Sequence, residues 1–270
     1  MKQPFVISPH DMPNLSPASI REHFLIETVF IPGCIALTNT IDDQLLVGGA
    51  MPTGVPLPLP VGERTNADYF LERRELGVLN VGGTGCVVVD GQRWELDKQD
   101  CLYVSRGSRA VTFESLDATN PAKFYLLSTP AHRDYPTARR TLAEAIPVEV
   151  STHEKLDACT IYQYIFQEGI QSCQLLMGLT QLKPDSIWNS EPSPSPGLRT
   201  AAYLYFSLEQ GQRVLHLLGE PKKTRPQWVS NGQAILLPPW SIRMSGGPQA
   251  YTFVWGMARE QPNQEAAGLT

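Results

Sequence analysis

The residue types that most often build metal and nucleophilic sites are dispersed in this sequence. Its histidines are His10, His23, His132, His153 and His216, and no two of them form an H-x-H pair. The 5 cysteines are widely spaced and never form C-x-x-C, which argues against a zinc knuckle and a disulfide framework and favours buried, reduced thiols. The sequence therefore predicts neither a metal site nor another cofactor.

Two tyrosines of the C-terminal half are candidates for electrostatic or proton-transfer chemistry. In the run AAYLYF, strand alternation puts Ala201, Tyr203 and Tyr205 on one face. Phenol hydroxyls can stabilise negative charge that develops during a reaction. Tyrosines at alternating strand positions are also common core residues, so both interpretations stay open.

Arg243 and His216 are the ionisable candidates of the same half. Alternation puts Arg243 on a face with Ser241 and Ser245. Burial of an unpaired guanidinium is costly, so Arg243 implies an anionic ligand or a carboxylate partner such as Glu191, unless its side chain turns outward. His216 could transfer protons at neutral pH, or it could be a hydrogen-bonded structural histidine.

An all-β fold must position these residues. The chain has 21 glycines and 23 prolines, which punctuate short runs rich in Val, Ile, Leu, Tyr and Phe. Helical patterns are limited to Pro17–Phe24, opened by Ser16 as N-cap, and a short turn near Thr141–Ala145. The predicted strands are Leu45–Gly48, Gly77–Val81, Cys86–Val89, Cys101–Val104, Ala110–Phe113, Phe124–Ser128, Gln174–Leu182, Ala202–Ser207, Val214–Leu218, Ala234–Leu237 and Tyr251–Met257.

The two halves of the chain repeat one order of segments. In each half, two strands lead to a turn, which is Asp90–Gly91 in the first and Asn231–Gly232 in the second. These dipeptides are strong hairpin signals because both residues tolerate positive φ. A duplicated small barrel is the simplest interpretation, with an N-terminal barrel over residues 1–140 and a C-terminal barrel over residues 141–270.

Composition limits the classes of partner. The 270 residues are 42% hydrophobic and 18% charged, and the net charge of −5 comes without a run of Lys or Arg, so we expect no nucleic acid and no membrane partner. No window approaches the roughly 20 apolar residues that span a bilayer, and the N-terminus lacks the apolar stretch of a signal peptide. We expect a cytoplasmic protein that binds a small-molecule substrate and forms a homo-oligomer.

Five segments carry the most distinctive motifs: Asp68–Gly91 (DYFLERRELGVLNVGGTGCVVVDG), Pro130–Thr137 (PAHRDYPT), Ser172–Pro192 (SCQLLMGLTQLKPDSIWNSEP), Pro238–Arg243 (PPWSIR) and Ala250–Met257 (AYTFVWGM). Together they resemble the 5-keto-4-deoxyuronate isomerases of pectin breakdown, in order and over nearly the whole chain. The resemblance implies a double-barrel cupin, or bicupin, which is an all-β jelly-roll fold with a few short helices. It also implies a homohexamer whose active site lies in the C-terminal barrel.

The same resemblance implies four metal ligands, and this chain has none of them. In the register of the family, the first two histidine positions fall on Pro194 and Pro196, the glutamate position on Ala201 and the last histidine position on Arg243. A divalent transition metal needs imidazole or carboxylate donors at about 2.0–2.2 Å. Proline and alanine offer no such donor, and arginine adds a positive charge, so the family's metal-dependent isomerisation is not expected.

The N-terminal barrel does not replace these ligands. Glu75 occupies the position of a cupin glutamate, but no histidines precede it and the final ligand position falls on Arg109. We interpret Glu72, Arg73, Arg74 and Glu75 as salt-bridged contacts at the rim or between subunits. A ligand role for them is the alternative.

The resemblance also defines a candidate pocket in the second barrel. It places Tyr203 and Tyr205 inside the barrel, with His216 and Arg243 as further catalytic candidates. The segment Ser190–Leu198 (SEPSPSPGL) should form a rigid loop at the mouth, because its prolines lack N–H donors. Candidate substrate-binding residues are Trp188 and Asn189 at the mouth and Glu191, Arg199, Trp228, Trp240 and Met244 around it.

Three functions are compatible with this sequence. The first is a repurposed, metal-independent enzyme that isomerises, eliminates from or cyclises a small, partly apolar substrate, as in specialised metabolism. The second is a non-catalytic binding or structural protein. The third is ketol isomerisation of 5-keto-4-deoxyuronate, which we rank last because in the family that reaction relies on a metal to polarise the carbonyl.

Overall fold

The computed structural model describes residues 7–40, 45–61, 67–151, 155–191 and 200–258. These ranges contain 21 β-strands, one α-helix and two short 3-10 turns, Met12–Asn14 and Lys155–Asp157. The predicted all-β class is therefore confirmed. In the same part of the chain, no helix is long and apolar enough to cross a membrane.

The helix α1 (Pro17–Phe24) has the predicted bounds. The Ser16 hydroxyl oxygen accepts a hydrogen bond from the N–H of Ser19 at 3.1 Å, and Pro17 suits the first helical position, where no intrahelical donor is needed. The helix leads into β1 (Leu25–Ile26), and its buried side chains Ile20 and Phe24 pack in the core of the second half.

The strands between residues 34 and 140 form two antiparallel sheets. One has six strands in the order β11-β8-β5-β10-β3-β2, and the other has four in the order β4-β9-β6-β7. Their bounds are β2 Cys34–Asn39, β3 Leu46–Met51, β4 Leu57–Pro58, β5 Arg74–Asn80, β6 Gly85–Val89, β7 Gln92–Leu96, β8 Cys101–Val104, β9 Val111–Ser115, β10 Phe124–Pro130 and β11 Ala138–Arg140.

The strands between residues 146 and 258 form the second pair of sheets. Seven strands, including β1, lie in the order β1-β19-β16-β21-β14-β13-β12, and four lie in the order β15-β20-β17-β18. Their bounds are β12 Ile146–Val150, β13 Cys159–Ile165, β14 Leu175–Leu182, β15 Trp188–Glu191, β16 Ala201–Phe206, β17 Arg213–Leu218, β18 Arg225–Ser230, β19 Ala234–Leu237, β20 Arg243–Gly246 and β21 Thr252–Ala258.

Strand alternation sends side chains into three apolar layers of the described structure. On β10, Leu126 packs inside the first pair of sheets, whereas Leu127 packs between the two halves. On β16, Leu204 packs between the halves, whereas Tyr203 and Tyr205 pack inside the second pair of sheets. The period of two therefore gives each large sheet one face for its own barrel and one face for the other barrel.

The two dipeptide turns differ in outcome. Asp90 and Gly91 both have positive φ, 48° and 86°, and they close the β6–β7 hairpin as predicted. Gly232 also has positive φ, but Asn231–Gly232 joins β18 to β19, which lie in different sheets. The second turn is therefore a connection between sheets, and its interpretation as a hairpin was wrong.

The division into residues 1–140 and 141–270 remains a proposal. Strand pairing adds one refinement, because β1 pairs with β19 of the second half through Leu25 opposite Ile235. Arg225 fastens the same N-terminal segment, since its guanidinium donates to the carbonyl oxygens of Pro13 at 2.8 Å and Leu15 at 2.9 Å. The segment from Pro13 to Ile26 thus lies against the second barrel.

Candidate functional site

A cavity of about 350 Å³ lies inside the second barrel, against the inner face of the seven-stranded sheet. Its size is within the range of small-molecule sites. Most of its wall is apolar and much of it is aromatic, from Phe166, Tyr203, Phe253 and Trp255. The polar groups on its wall come from Asp157, Cys159, Gln163, Thr180 and Asn189.

The aromatic wall is fixed by close packing between neighbouring strands. The rings of Tyr203 and Phe253 are stacked, with centroids 4.9 Å apart and planes at 25°. The Trp255 indole lies over Gly178, where a Cβ would come within 2.2 Å of the ring. Gly178 has no side chain, and the indole therefore has room inside the barrel.

Behind this wall lies a buried network of hydroxyl groups and one imidazole. Tyr205 Oη is 2.9 Å from Nδ1 of His216, and Ser245 Oγ is 2.9 Å from Tyr251 Oη. Tyr205 also hydrogen-bonds Ser245, which links the two pairs. The rings of Tyr203 and His216 meet edge to face at 6.0 Å, so the network adjoins the cavity wall.

Burial keeps the groups of this network uncharged. Desolvation, with a further contribution from the guanidinium of Arg243, lowers the pKa of His216 to about 3. Desolvation also raises the pKa of Tyr205 well above its ordinary value. At neutral pH, His216 is therefore a neutral imidazole, and its Nε2 has no hydrogen-bond partner within the described residues.

Arg243 brings a positive charge into the same interior. It is 1% exposed, and its Nη1 lies 3.8 Å from Sδ of Met257, which lines the cavity. The backbone register places Glu191 directly opposite Arg243, as a cross-strand partner requires. The Glu191 side chain lies outside the described part of the structure, so its pairing with Arg243 stays a prediction.

The donor set of the second barrel does not fit the divalent metal that the resemblance implies. Ala201 is buried on the inner face and carries no donor, and Arg243 is a cation that excludes another cation from its surroundings. Pro194 and Pro196 lie outside the described residues, but a proline side chain is a hydrocarbon. Among the described residues of the second barrel, His216 is the one imidazole.

Five of the predicted residues lie together in or beside the cavity. Tyr203 and Asn189 line it, and Tyr205, His216 and Arg243 pack directly behind its wall. Ser241, Arg243 and Ser245 are all buried, as a shared inner face requires, and alternation along β20 places Arg243 and Ser245 on the same face. Arg199 lies outside the described residues.

Four other predicted residues do not reach the cavity. Trp188 is 37% exposed opposite Gly246, and Trp228 is 48% exposed beneath the guanidinium of Arg213, so both indoles lie on the outer face of the four-stranded sheet. Met244 alternates with buried neighbours and therefore also faces outward. Trp240 packs edge to face on Phe24 of α1 instead of at the mouth.

Several cavity residues were not anticipated from the sequence. Cys159, Ile161 and Gln163 lie at alternate positions of β13 and project into the cavity. This strand is not predicted from the sequence. Thr180 and Trp255 lie on recognised strands, and the same alternation on those strands would have placed them inside. Burial raises the pKa of the Cys159 thiol, so it is a poor nucleophile at neutral pH.

Glu75 of the first barrel is a structural carboxylate of an unexpected kind. It is fully buried on the face of β5 opposite to the interior of its own barrel, so the predicted rim position was wrong. Its two oxygens accept hydrogen bonds from the hydroxyls of Tyr103 and Thr129 and from three successive backbone N–H groups, 173–175, at 2.6–3.1 Å. One carboxylate therefore joins the first barrel to the loop before β14.

The neighbours of Glu75 are closer to the prediction. Glu72 and Arg73 form an exposed ion pair at 3.7 Å, whereas Arg74 donates to the backbone oxygen of Ser128 at 2.7 Å. Arg109 lies over the ring of Tyr69, with 5.4 Å between the guanidinium carbon and the ring centroid. Arg74 and Arg109 thus both contact residues of the first barrel.

Comparison with known proteins gives the chain its family. The family model described as KduI/IolB matches residues 36–267. The 4-deoxy-L-threo-5-hexosulose-uronate ketol-isomerase of Halalkalibacterium halodurans is 44% identical over 260 residues, covering 96% of this chain and 94% of that protein. That of Formosa agariphila is 45% identical over 256 residues, covering 95% and 91%.

Solved structures support the fold at much lower identity. An IolB-like protein from Salmonella typhimurium LT2 superposes with a TM-score of 0.69 at 11% identity, covering 89% of this chain and 94% of that one. A cupin 2 conserved barrel domain protein from Leptotrichia buccalis has a TM-score of 0.50 at 9% identity, covering 87% and 96%. The predicted double-barrel cupin fold is confirmed, and with the match over nearly the whole chain this protein belongs to the KduI/IolB family.

Proposed function

We propose that this protein is an isomerase of a small carbonyl compound and that its active site is the cavity of the second barrel. The observation that carries the proposal is a cavity of about 350 Å³ that adjoins a neutral imidazole, a phenol and a buried guanidinium. Relatives named ketol-isomerases, 41–45% identical over most of the chain, support the reaction class. This class replaces the wider expectation of elimination or cyclisation, which the names of these relatives do not support.

The side chains have distinct roles in this proposal. An aldose–ketose isomerisation moves a proton between neighbouring carbons through an enediol or enediolate. The guanidinium of Arg243, behind Met257, stabilises the negative charge of that species, since charge interactions are strong in a dry interior. Tyr203 and Asn189 contact the substrate, and the phenol of Tyr203 is the group placed to exchange the proton. The uncharged pair His216–Tyr205 acts from behind the wall by holding the ring of Tyr203 in position.

In this proposal, no divalent metal takes part. The support is the donor set, in which Ala201 and Arg243 occupy two of the family's ligand positions and prolines occupy the other two. A fixed guanidinium supplies positive charge without coordination. The rate enhancement would then depend on orientation and electrostatics from the protein.

The relatives' substrate, 4-deoxy-L-threo-5-hexosulose uronate, is the first candidate, because identity to those relatives extends over nearly the whole chain. A less polar carbonyl compound is the second candidate, favoured by the lining. Aromatic and aliphatic side chains dominate the described cavity wall, and its one ionisable carboxylate, Asp157, would repel the carboxylate of a sugar acid.

The decisive experiment combines metal analysis with an isomerase assay. Purified protein is analysed for bound metals and incubated with the uronate, and separately with less polar α-hydroxy ketones, in D₂O before and after chelator treatment, while NMR follows product and deuterium incorporation. We expect turnover that survives chelation and falls at least about tenfold in Arg243→Met. The matched control, Arg213→Met on the outer face, should keep full activity.

Other outcomes have clear meanings. Stoichiometric metal together with turnover that a chelator abolishes would refute metal independence. Turnover of the uronate alone would eliminate the second substrate class. Absence of turnover and of saturable binding for every compound would favour the non-catalytic alternative.

A further inference from the structure

A second group of reactive side chains lies where the two halves of the chain meet. The Sγ of Cys173 is 3.2 Å from Nδ1 of His132, and the backbone N–H of His132 donates to the same sulfur at 3.4 Å. His132 is exposed and Cys173 is partly exposed, so a reagent in solution reaches both. Neither residue lines the cavity of the second barrel.

The position of the thiol is fixed by the buried carboxylate of Glu75. The backbone N–H of Cys173 donates to Oε2 of Glu75 at 2.8 Å, and the next two N–H groups donate to Oε1. The negative charge of Glu75 opposes formation of a neighbouring thiolate. Both oxygens of Glu75 accept hydrogen bonds from Tyr103, Thr129 and the backbone, and these bonds stabilise its charge. The side chain that contacts the sulfur of Cys173 is the imidazole of His132.

The Cys173 thiol and the His132 imidazole have the geometry of a nucleophile and its base. A neutral imidazole accepts the thiol proton, and the thiolate that results is the species that attacks electrophiles. The backbone N–H of His132 donates to the sulfur and so stabilises its negative charge further. The backbone N–H and the imidazole of His132 therefore both contact the sulfur of Cys173.

The other cysteines lack this arrangement. Cys86, Cys101 and Cys159 are buried, and burial raises the pKa of each thiol. Cys34 is more exposed than Cys173, but the described residues place no imidazole within hydrogen-bond distance of it. Cys34 is therefore an internal control for exposure without activation.

We propose that Cys173 is a selective modification site for small, soft electrophiles, with His132 as its base. In the reaction with iodoacetamide, His132 Nδ1 takes the thiol proton and the sulfur forms a bond to the methylene carbon. The carbon–iodine bond breaks, and iodide leaves with its electron pair. No oxidant or reductant is needed.

The test is competitive alkylation of the folded, full-length protein. A small amount of isotopically labelled iodoacetamide is added near neutral pH, the reaction is quenched, and the remaining thiols are blocked after denaturation before peptide mass spectrometry. We expect Cys173 to react at least about tenfold faster than Cys34, and His132→Asn to remove most of that advantage without changing the rate at Cys34.

A denatured sample supplies the reference for intrinsic reactivity. In urea, the two thiols should react at similar rates in both the wild-type protein and the variant. Equal rates in the folded wild-type protein, or an unchanged Cys173 rate in a folded His132→Asn variant, would overturn the proposal. If that variant does not fold, His132→Gln provides the same comparison.

Discussion

At the scale of single residues, the interior of the second barrel shows how burial changes the chemistry of ordinary side chains. His216 was a candidate from the sequence because an unperturbed imidazole titrates near neutral pH. In the fold, its ring is enclosed next to Tyr205 and Arg243, and its pKa is about 3. Sequence shows that a histidine is present, but its protonation state depends on neighbours that come from other strands.

The first prediction concerns stability at acid pH. The folded pKa of His216, about 3, is below its unfolded value of 6.5, so the unfolded chain binds the extra proton first as the pH falls. Stability from this residue is complete above about pH 6.5 and declines toward pH 3, with about 2–3 kcal/mol lost at pH 4.5. Urea unfolding at pH 7 and 4.5 should show a smaller acid loss in His216→Gln by about that amount. Equal losses in both proteins would contradict the assignment.

At the scale of elements, one buried carboxylate joins strands of different sheets, and one glycine fits two neighbouring strands of one sheet together. Glu75 on β5 binds the loop that begins β14, and Gly178 on β14 accommodates the indole of Trp255 on β21. β14 therefore connects the first barrel to the cavity wall of the second. Changes at either end of this strand should be measurable at the other.

A second prediction follows for Glu75. Glutamine keeps the shape of the side chain, but its amide nitrogen cannot accept a hydrogen bond, so at least one buried N–H group of residues 173–175 loses its acceptor. We expect Glu75→Gln to lower the free energy of unfolding by about 2–4 kcal/mol in urea titrations. Glu114→Gln removes only a partly exposed pair with Arg93 and should cost less than about 1 kcal/mol.

The third prediction tests the space above Gly178. Alanine in a strand without steric conflict would be stabilising by about 0.5–1 kcal/mol relative to glycine. Here the added Cβ would overlap the Trp255 ring, so we expect Gly178→Ala to be destabilising by about 1–3 kcal/mol and to alter the near-ultraviolet circular dichroism of tryptophan. A stabilised variant with an unchanged spectrum would show that the indole has other room.

Many of the secondary-structure elements could be predicted from the sequence, and the exceptions have physical causes. The bounds of α1, β8 and β19 agree with the prediction because capping and short apolar runs are local signals. β13 was not predicted because Thr160 and Gln163 interrupt its apolar residues, and β18 was not predicted because most of its residues are polar or exposed. The family resemblance predicts Trp188 at the mouth and Trp228 around it, but the sheet face that each indole occupies depends on strand pairing that the resemblance does not specify.

At the scale of the whole molecule, an N-terminal segment packs on the C-terminal barrel. The buried side chains of residues 17–26 pack in the core of the second barrel, and β1 forms the edge strand of its seven-stranded sheet. Arg225 holds the preceding residues by their carbonyl oxygens. Assembly into a homo-oligomer, with a hexamer implied by the family resemblance, stays a prediction at this scale.

The fourth prediction concerns the contacts between Arg225 and the N-terminal segment. Arg225→Gln removes the guanidinium contacts to the carbonyl oxygens of Met12, Pro13 and Leu15 and should cost about 1–2 kcal/mol. Hydrogen exchange of residues 8–26 should become faster, while the amides of β5 and β10 stay protected. Arg213→Gln, at the opposite end of the same strand pair, is the matched control and should leave exchange in residues 8–26 unchanged.

The pairing of β1 with β19 has a consequence for synthesis of the protein. The ribosome releases Leu25 and Ile26 long before it makes Ala234, a separation of 208 residues from Ile26. At about 5–20 residues per second, the N-terminal segment waits roughly 10–40 s for its partner strand. During that interval the apolar side chains of Ile20 and Phe24 have no core to pack in. They are buried only after the C-terminal barrel has been synthesised.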